Sequence, residues 1–120
     1  MIKNVCDLEV FNLSYQFAMD VFKVSRNFPK EERYSLIDQI VRASRSISAN
    51  ISEGWGKRTY ENDFKRHLVY ALGSLEETKT WLQFAKDCAY LKQEEYETLY
   101  AKYDELGAKI YKLYNNWKTF

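Results

Sequence analysis

Apolar residues recur along this chain at alternating steps of three and four, the spacing of a single helical face. The first such segment carries Leu8, Phe11, Tyr15, Ala18, Phe22 and Ser25, with Phe17, Val21 and Val24 widening the stripe. Asn27-Phe28-Pro29 ends it, because proline disfavours helix at the residue before it. Pro29 also suits the first position of a following helix, with Glu31 and Glu32 near that helix's positive end. The second stripe is Leu36, Ile37, Ile40, Ala43, Ile47 and Ile51, and Gly54-Trp55-Gly56 reads as its stop. Thr59 is placed to cap a third helix, whose stripe of Phe64, Leu68, Ala71, Leu75, Thr78, Leu82 and Ala85 follows a heptad. A fourth repeats that spacing through Leu99, Tyr103, Leu106, Ile110, Leu113 and Trp117. The expected helices span about 7–27, 30–54, 60–90 and 93–117. Short connections make consecutive helices antiparallel neighbours. The fold predicted is all-α, an antiparallel up-and-down four-helix bundle, with residues 1–120 as one domain.

Composition agrees with long elements: four glycines and one proline in 120 residues leave few turns. Aromatic content is 17%, including ten tyrosines, whose apolar ring and polar tip suit half-wet surfaces. The net charge of +1 gives no global pull toward nucleic acid or membrane. Local charge is less even. Residues 42–70 hold six basic against three acidic side chains, and residues 86–106 the reverse. Cys6 and Cys88 have no metal or redox spacing and read as reduced cysteines. Met1–Val10 carries Lys3, Asp7 and Glu9 where a signal peptide has an apolar core, and no run reaches transmembrane length. The expectation is a cytoplasmic protein without a membrane partner.

Two helices carry more apolar surface than one bundle needs. On the third, Tyr70, Ser74, Glu77, Trp81, Phe84 and Cys88 form a second row more than about 90° from the core stripe. On the fourth, Tyr96, Tyr100, Tyr111 and Tyr114 broaden the stripe. These residues, Cys88 apart, are candidates for an oligomer interface. An ordinary tyrosine-rich surface over a generous core is the competing reading. Glu77 lies within the aromatic row, so a partner such as Arg42 or Arg45, of the same or a neighbouring chain, is expected.

The second helix also holds four serines and an asparagine in its interior, where these residues are neutral to unfavourable. Arg42, Ser46, Asn50 and Glu53 fall within about 80° of one another, on the side away from the apolar stripe, with Asn50 on the border. That row is either solvated or a polar contact surface, with Arg42 and Arg45 available to acids or phosphates.

Catalytic chemistry finds no support. His67 is the single histidine, and no nucleophile elbow accompanies it. Asp63 and His67 stand at i and i+4 and read as a solvated helix pair. Phe64 occupies the position a Glu-x-x-His di-metal motif requires for glutamate. Gly54-Trp55-Gly56-Lys57 lacks the spacing of a phosphate loop. No catalytic, cofactor-binding or metal residues are assigned, and neither an enzyme activity nor a small-molecule substrate is expected.

Arg42-Ala43-Ser44-x-Ser46-Ile47-x-x-Asn50-Ile51-x-Glu53-Gly54 resembles the signature of the bacterial four-helix bundle proteins, also called the 23S ribosomal RNA intervening-sequence proteins. Phe28-Pro29-x-Glu31-Glu32-x-Tyr34-x-Leu36 resembles that family's approach to helix two, and Phe64-x-x-x-Leu68-x-x-Ala71-x-Gly73-Ser74-Leu75-x-Glu77 its helix three. The resemblance covers about residues 15–90. It implies an up-and-down bundle assembled as a homo-oligomer, a pentameric ring. The family is similar to the accessory variability determinant proteins of diversity-generating retroelements, basic pentamers that bind nucleic acid. The implied activity is therefore association with RNA or DNA rather than catalysis, although this chain is nearly neutral. The candidate phosphate-binding residues are Arg42, Arg45, Lys57, Arg58, Lys65 and Arg66. Repetition around a ring multiplies a weak patch through avidity. The alternative is a protein-interaction scaffold that uses the tyrosine-rich surface.

Overall fold

In the computed structural model, which describes residues 2–119, four helices form an up-and-down bundle. They are α1 (Glu9–Ser25), α2 (Leu36–Gly56), α3 (Glu61–Asp87) and α4 (Gln93–Asn116). Consecutive helices pack side by side, α4 returns to α1, and the diagonal pairs stay apart across the core. Cross-helix pairs such as Ser46–Ser74, Lys79–Asp104 and Lys102–Asp20 show the antiparallel sense. The core stripes of α2 and α3 lie where the heptads put them, with Ile40, Ile47 and Ile51 facing Phe64, Leu68, Ala71, Leu75 and Leu82. The stripe of α1 is rotated from the expected one. Val10, Ser14, Phe17, Val21 and Ser25 are buried, whereas Tyr15 is 59% exposed. A Ser14–Ser48 hydrogen bond of 2.9 Å at the α1–α2 contact favours this register, since it satisfies two buried hydroxyls at once.

The helix ends depart from the sequence reading. α2 starts at Leu36, not near Lys30, and Pro29 opens a short 3-10 turn at Lys30–Glu32 instead. The Glu32 carboxylate accepts from the Ser35 hydroxyl and the Leu36 amide, so the cap arrives from four residues upstream. Thr59 does not cap α3. Tyr60 holds that position, with no side-chain hydrogen bond. α3 stops at Asp87 rather than Tyr90. Ala89 adopts φ 64°, and the Ala89 and Tyr90 amides bond back to Lys86 O (2.9 Å) and Ala85 O (2.8 Å). This is a Schellman ending with alanine where glycine is usual.

Gly54-Trp55-Gly56 is not a stop. α2 runs through it, and no glycine has positive φ. Gly54 is there for contact: a Cβ at this position falls 2.7 Å from His67 Cβ and 3.3 Å from Phe64 O. The same seam takes up the middle of the polar row, Ser46 and Asn50, while Arg42 and Glu53 at its ends stay exposed. His67, 8% exposed, bonds through Nδ1 to Asn50 Oδ1 (3.2 Å) and through Nε2 to Lys57 Nζ (3.2 Å). The tautomer with its proton on Nδ1 satisfies both bonds, donating to Asn50 and accepting from Lys57. Asn50 Nδ2 donates to Ser46 O and Oγ, and Ser74 Oγ donates to Ser46 Oγ at 2.9 Å. The expected Asp63–His67 pair is absent: Asp63 pairs with Arg66 at 3.6 Å.

At the end of the bundle that carries the α2–α3 connection, Trp55, Phe64 and Trp117 meet edge to face, with centroids 4.8–6.3 Å apart. The Thr119 hydroxyl donates to Arg58 O, tying the C-terminal segment to that connection.

Four stability outcomes follow from these features. Gly54→Ala is expected to cost about 1–3 kcal/mol, because neither Cβ nor backbone is the movable end of a side chain. Gly56→Ala, with open space at its Cβ, should gain about 0.5–1 kcal/mol. Urea unfolding of the two variants checks the contrast. Ala89→Gly should raise stability by up to about 1 kcal/mol by relieving the left-handed alanine, read as a higher melting temperature. Tyr103 is fully buried and its hydroxyl lacks a hydrogen-bond partner among the described residues. Tyr103→Phe should therefore be neutral or stabilising by roughly 1 kcal/mol, whereas a loss on chemical denaturation argues for a bridging water.

Candidate nucleic-acid interface

The six basic candidates do not form one free patch. Four are held by acids one helical turn before them: Arg42 by Asp38 (3.6 Å), Lys57 by Glu53 (3.2 Å), Lys65 by Glu61 (3.5 Å) and Arg66 by Asp63 (3.6 Å). Arg58 lies 4.0 Å above the Trp55 ring and donates to Trp55 O. Arg45 is exposed on the α1 side of α2, with its guanidinium 5.6 Å from the Phe22 centroid. The structure thus brings Lys57 and Arg58 toward the start of α3, but leaves Arg42 and Arg45 on other parts of α2.

Among the described residues, four of the six arginines take no part in an ion pair. Each lies over an aromatic ring instead: Arg26 and Arg45 over Phe22, Arg33 over Tyr34, Arg58 over Trp55. Two of these four, Arg26 and Arg33, flank the α1–α2 connection. There Arg26, Lys30 and Arg33 line an open groove of about 610 Å³ whose apolar floor includes Phe22, Phe28, Ile37 and Val41. No acid lines it. Tyr34, 88% exposed, stands at its edge.

The nearby carboxylate of Glu32 is committed elsewhere, to Ser35 and to the Tyr90 hydroxyl at 2.8 Å. The Ser35 and Tyr90 hydrogen bonds hold it below the usual carboxylate range, and the same contact with Glu32 pushes the Tyr90 phenol up to about 12. The sequence reading missed this groove. Its signal was available: Arg42, Lys57, Lys65 and Arg66 have an acid at i−3 or i−4, and Arg26, Arg33 and Arg45 do not.

The candidate interface residues divide. Tyr70 and Phe84 are half exposed, and Trp81 packs partly on the core. Glu77 accepts from Trp81 Nε1 at 3.2 Å and has no contact with Arg42 or Arg45 within the chain. Ser74 is used by Ser46. On α4, Tyr96, Tyr100 and Tyr114 lie beneath Lys86, Lys79 and Lys65 of α3 at 4.5, 4.8 and 5.4 Å. Tyr111 stays 58% exposed. Cys6 and Cys88 are free and exposed. Among the described residues no group of three metal-ligating side chains gathers, and no helix is long and apolar enough to cross a membrane.

Comparison with known proteins places this bundle. A crystal structure of a protein of unknown function from the S23 ribosomal protein family of Bacteroides thetaiotaomicron superposes with a TM-score of 0.81 at 26% identity, covering 89% of this chain and 96% of the other. No curated protein matches the chain. The model of the 23S rRNA-intervening sequence proteins matches residues 6–112, so the chain belongs to the 23S rRNA-intervening sequence protein family.

Proposed function

We propose that this protein is a non-enzymatic helical-bundle protein that assembles as a homo-oligomer, a pentamer on the family resemblance, and associates with RNA or DNA through repeated basic surfaces. The observation that carries the reading is the groove at the α1–α2 connection, where Arg26, Lys30 and Arg33 stand together with no acid in the lining. Four of the earlier candidates are in ion pairs on their own helices, so the reading places the centre of binding at residues 26–33. Arg45, stacked on the other approach to Phe22, extends that surface.

Assembly is supported by exposed apolar side chains on helices that do not touch. Tyr15 and Met19 lie on α1, and Val69, Tyr70 and Phe84 on α3. Two unlike patches on one molecule are what a head-to-tail ring needs. The alternative, a scaffold binding partners through the tyrosine-rich surface, is favoured by Phe84 and Tyr111 but weakened by the lysines over the α4 tyrosines.

The test is a titration of the assembled protein, its mass checked by light scattering, against labelled structured RNA and duplex DNA across salt. Replacing Arg26, Lys30 and Arg33 by glutamine should weaken binding about 10- to 100-fold and flatten the salt dependence. Neutralising Lys57, Arg58, Lys65 and Arg66 should have the smaller effect. An intact oligomer that binds neither nucleic acid at low salt sinks the reading.

A further inference from the structure

The groove at the α1–α2 connection has two properties that a contact surface for phosphates alone does not need. One is its apolar floor, with Ile37 and Val41 half buried between exposed cations. The other is Tyr34, whose ring is almost wholly in solvent, with Arg33 5.8 Å from its centroid and no packing that accounts for its position. A solvent-facing tyrosine beside an arginine presents an aromatic plane next to a fixed positive charge. Nucleic-acid bases stack on such planes whatever their sequence. In a duplex the bases are already stacked on each other and only the phosphates project outward, so a duplex engages the cations and leaves ring and floor unused.

We infer that this groove takes unpaired, single-stranded nucleic acid, with one base stacked on Tyr34 and against the Ile37–Val41 floor, and the flanking phosphates on Arg26, Lys30 and Arg33. The inference rests on the nucleic-acid reading above and narrows its ligand. The groove volume of about 610 Å³ is within the range of sites that hold a group of nucleotide size. The lining cations match the charge of the strand, and no carboxylate is among the lining side chains.

The experiment compares fluorescence anisotropy of a labelled single strand, RNA and DNA, with the corresponding duplexes, using the full-length assembled protein. The single strand is expected to bind about tenfold tighter than the duplex. Tyr34→Ala should remove most of that margin while leaving duplex binding unchanged, because base–aromatic stacking is worth roughly tenfold or more per base. Tyr34→Phe should restore it, since the ring and not the hydroxyl carries the contact. Tyr34 is outside the core, so light scattering and circular dichroism are expected to match the unaltered protein. Equal binding of strand and duplex, or indifference to Tyr34→Ala with loss on neutralising the three cations, overturns the single-strand inference and leaves general nucleic-acid binding standing. Tighter binding of poly-glutamate than of the strand at equal charge marks the groove as a site for acidic peptides and overturns it as well. No binding of any nucleic acid removes both readings.

Discussion

The closeness of α2 and α3 at Gly54 is the constraint from which the rest of the bundle takes its shape. A hydrogen in place of a side chain lets the two backbones meet beside Phe64 and His67. That approach brings Asn50 within reach of the imidazole and Ser46 within reach of Ser74. It also sets Trp55 against Phe64 and Trp117. Asn50, Ser46 and Ser74 are poor choices for an isolated helix, but each finds a partner once the seam is closed. The polar row and the glycine therefore belong to one device: close packing supplies the partners, and the partners fix the register of the packing.

The cations of the molecule are used differently in two regions. The α2–α3 seam and the α3–α4 face use their cations internally, through ion pairs and rings. The α1–α2 connection does not. Its arginines rest on Phe22 and Tyr34 without carboxylates, keeping their full charge toward solvent. Such stacking costs an arginine little of its capacity to meet a phosphate in the plane of the guanidinium. An aromatic ring beneath it holds the group without neutralising it.

The helical pattern of the sequence carried the architecture well where burial alone decides it. The heptads of α3 and α4 mark Phe64, Leu75, Leu82, Leu106 and Ile110, and all are buried. It failed where a residue answers to a distant neighbour. Gly54 reads as a cap because glycine is usual there, yet its reason is a side chain thirteen positions on. The start of α2 was misplaced because Glu32 caps from outside the helix. Asn50 and Ser46 looked solvated because their helical angle is measured from their own stripe, not from the flank of α3. Among the arginines of the described residues, the presence or absence of an acid at i−3 or i−4 separates the two in ion pairs from the four without.

The lysines of α3 over the tyrosines of α4 have a consequence for how this protein behaves in electrolyte. Contacts of 4.5–5.4 Å lie inside the screening length of about 8 Å at physiological ionic strength, and they hold by ring quadrupole as well as by charge. Added salt weakens interactions between well-separated exposed charges more than it weakens these short contacts. The side-by-side packing of α3 and α4 is in this sense less dependent on the surrounding electrolyte than a frame held by surface ion pairs alone.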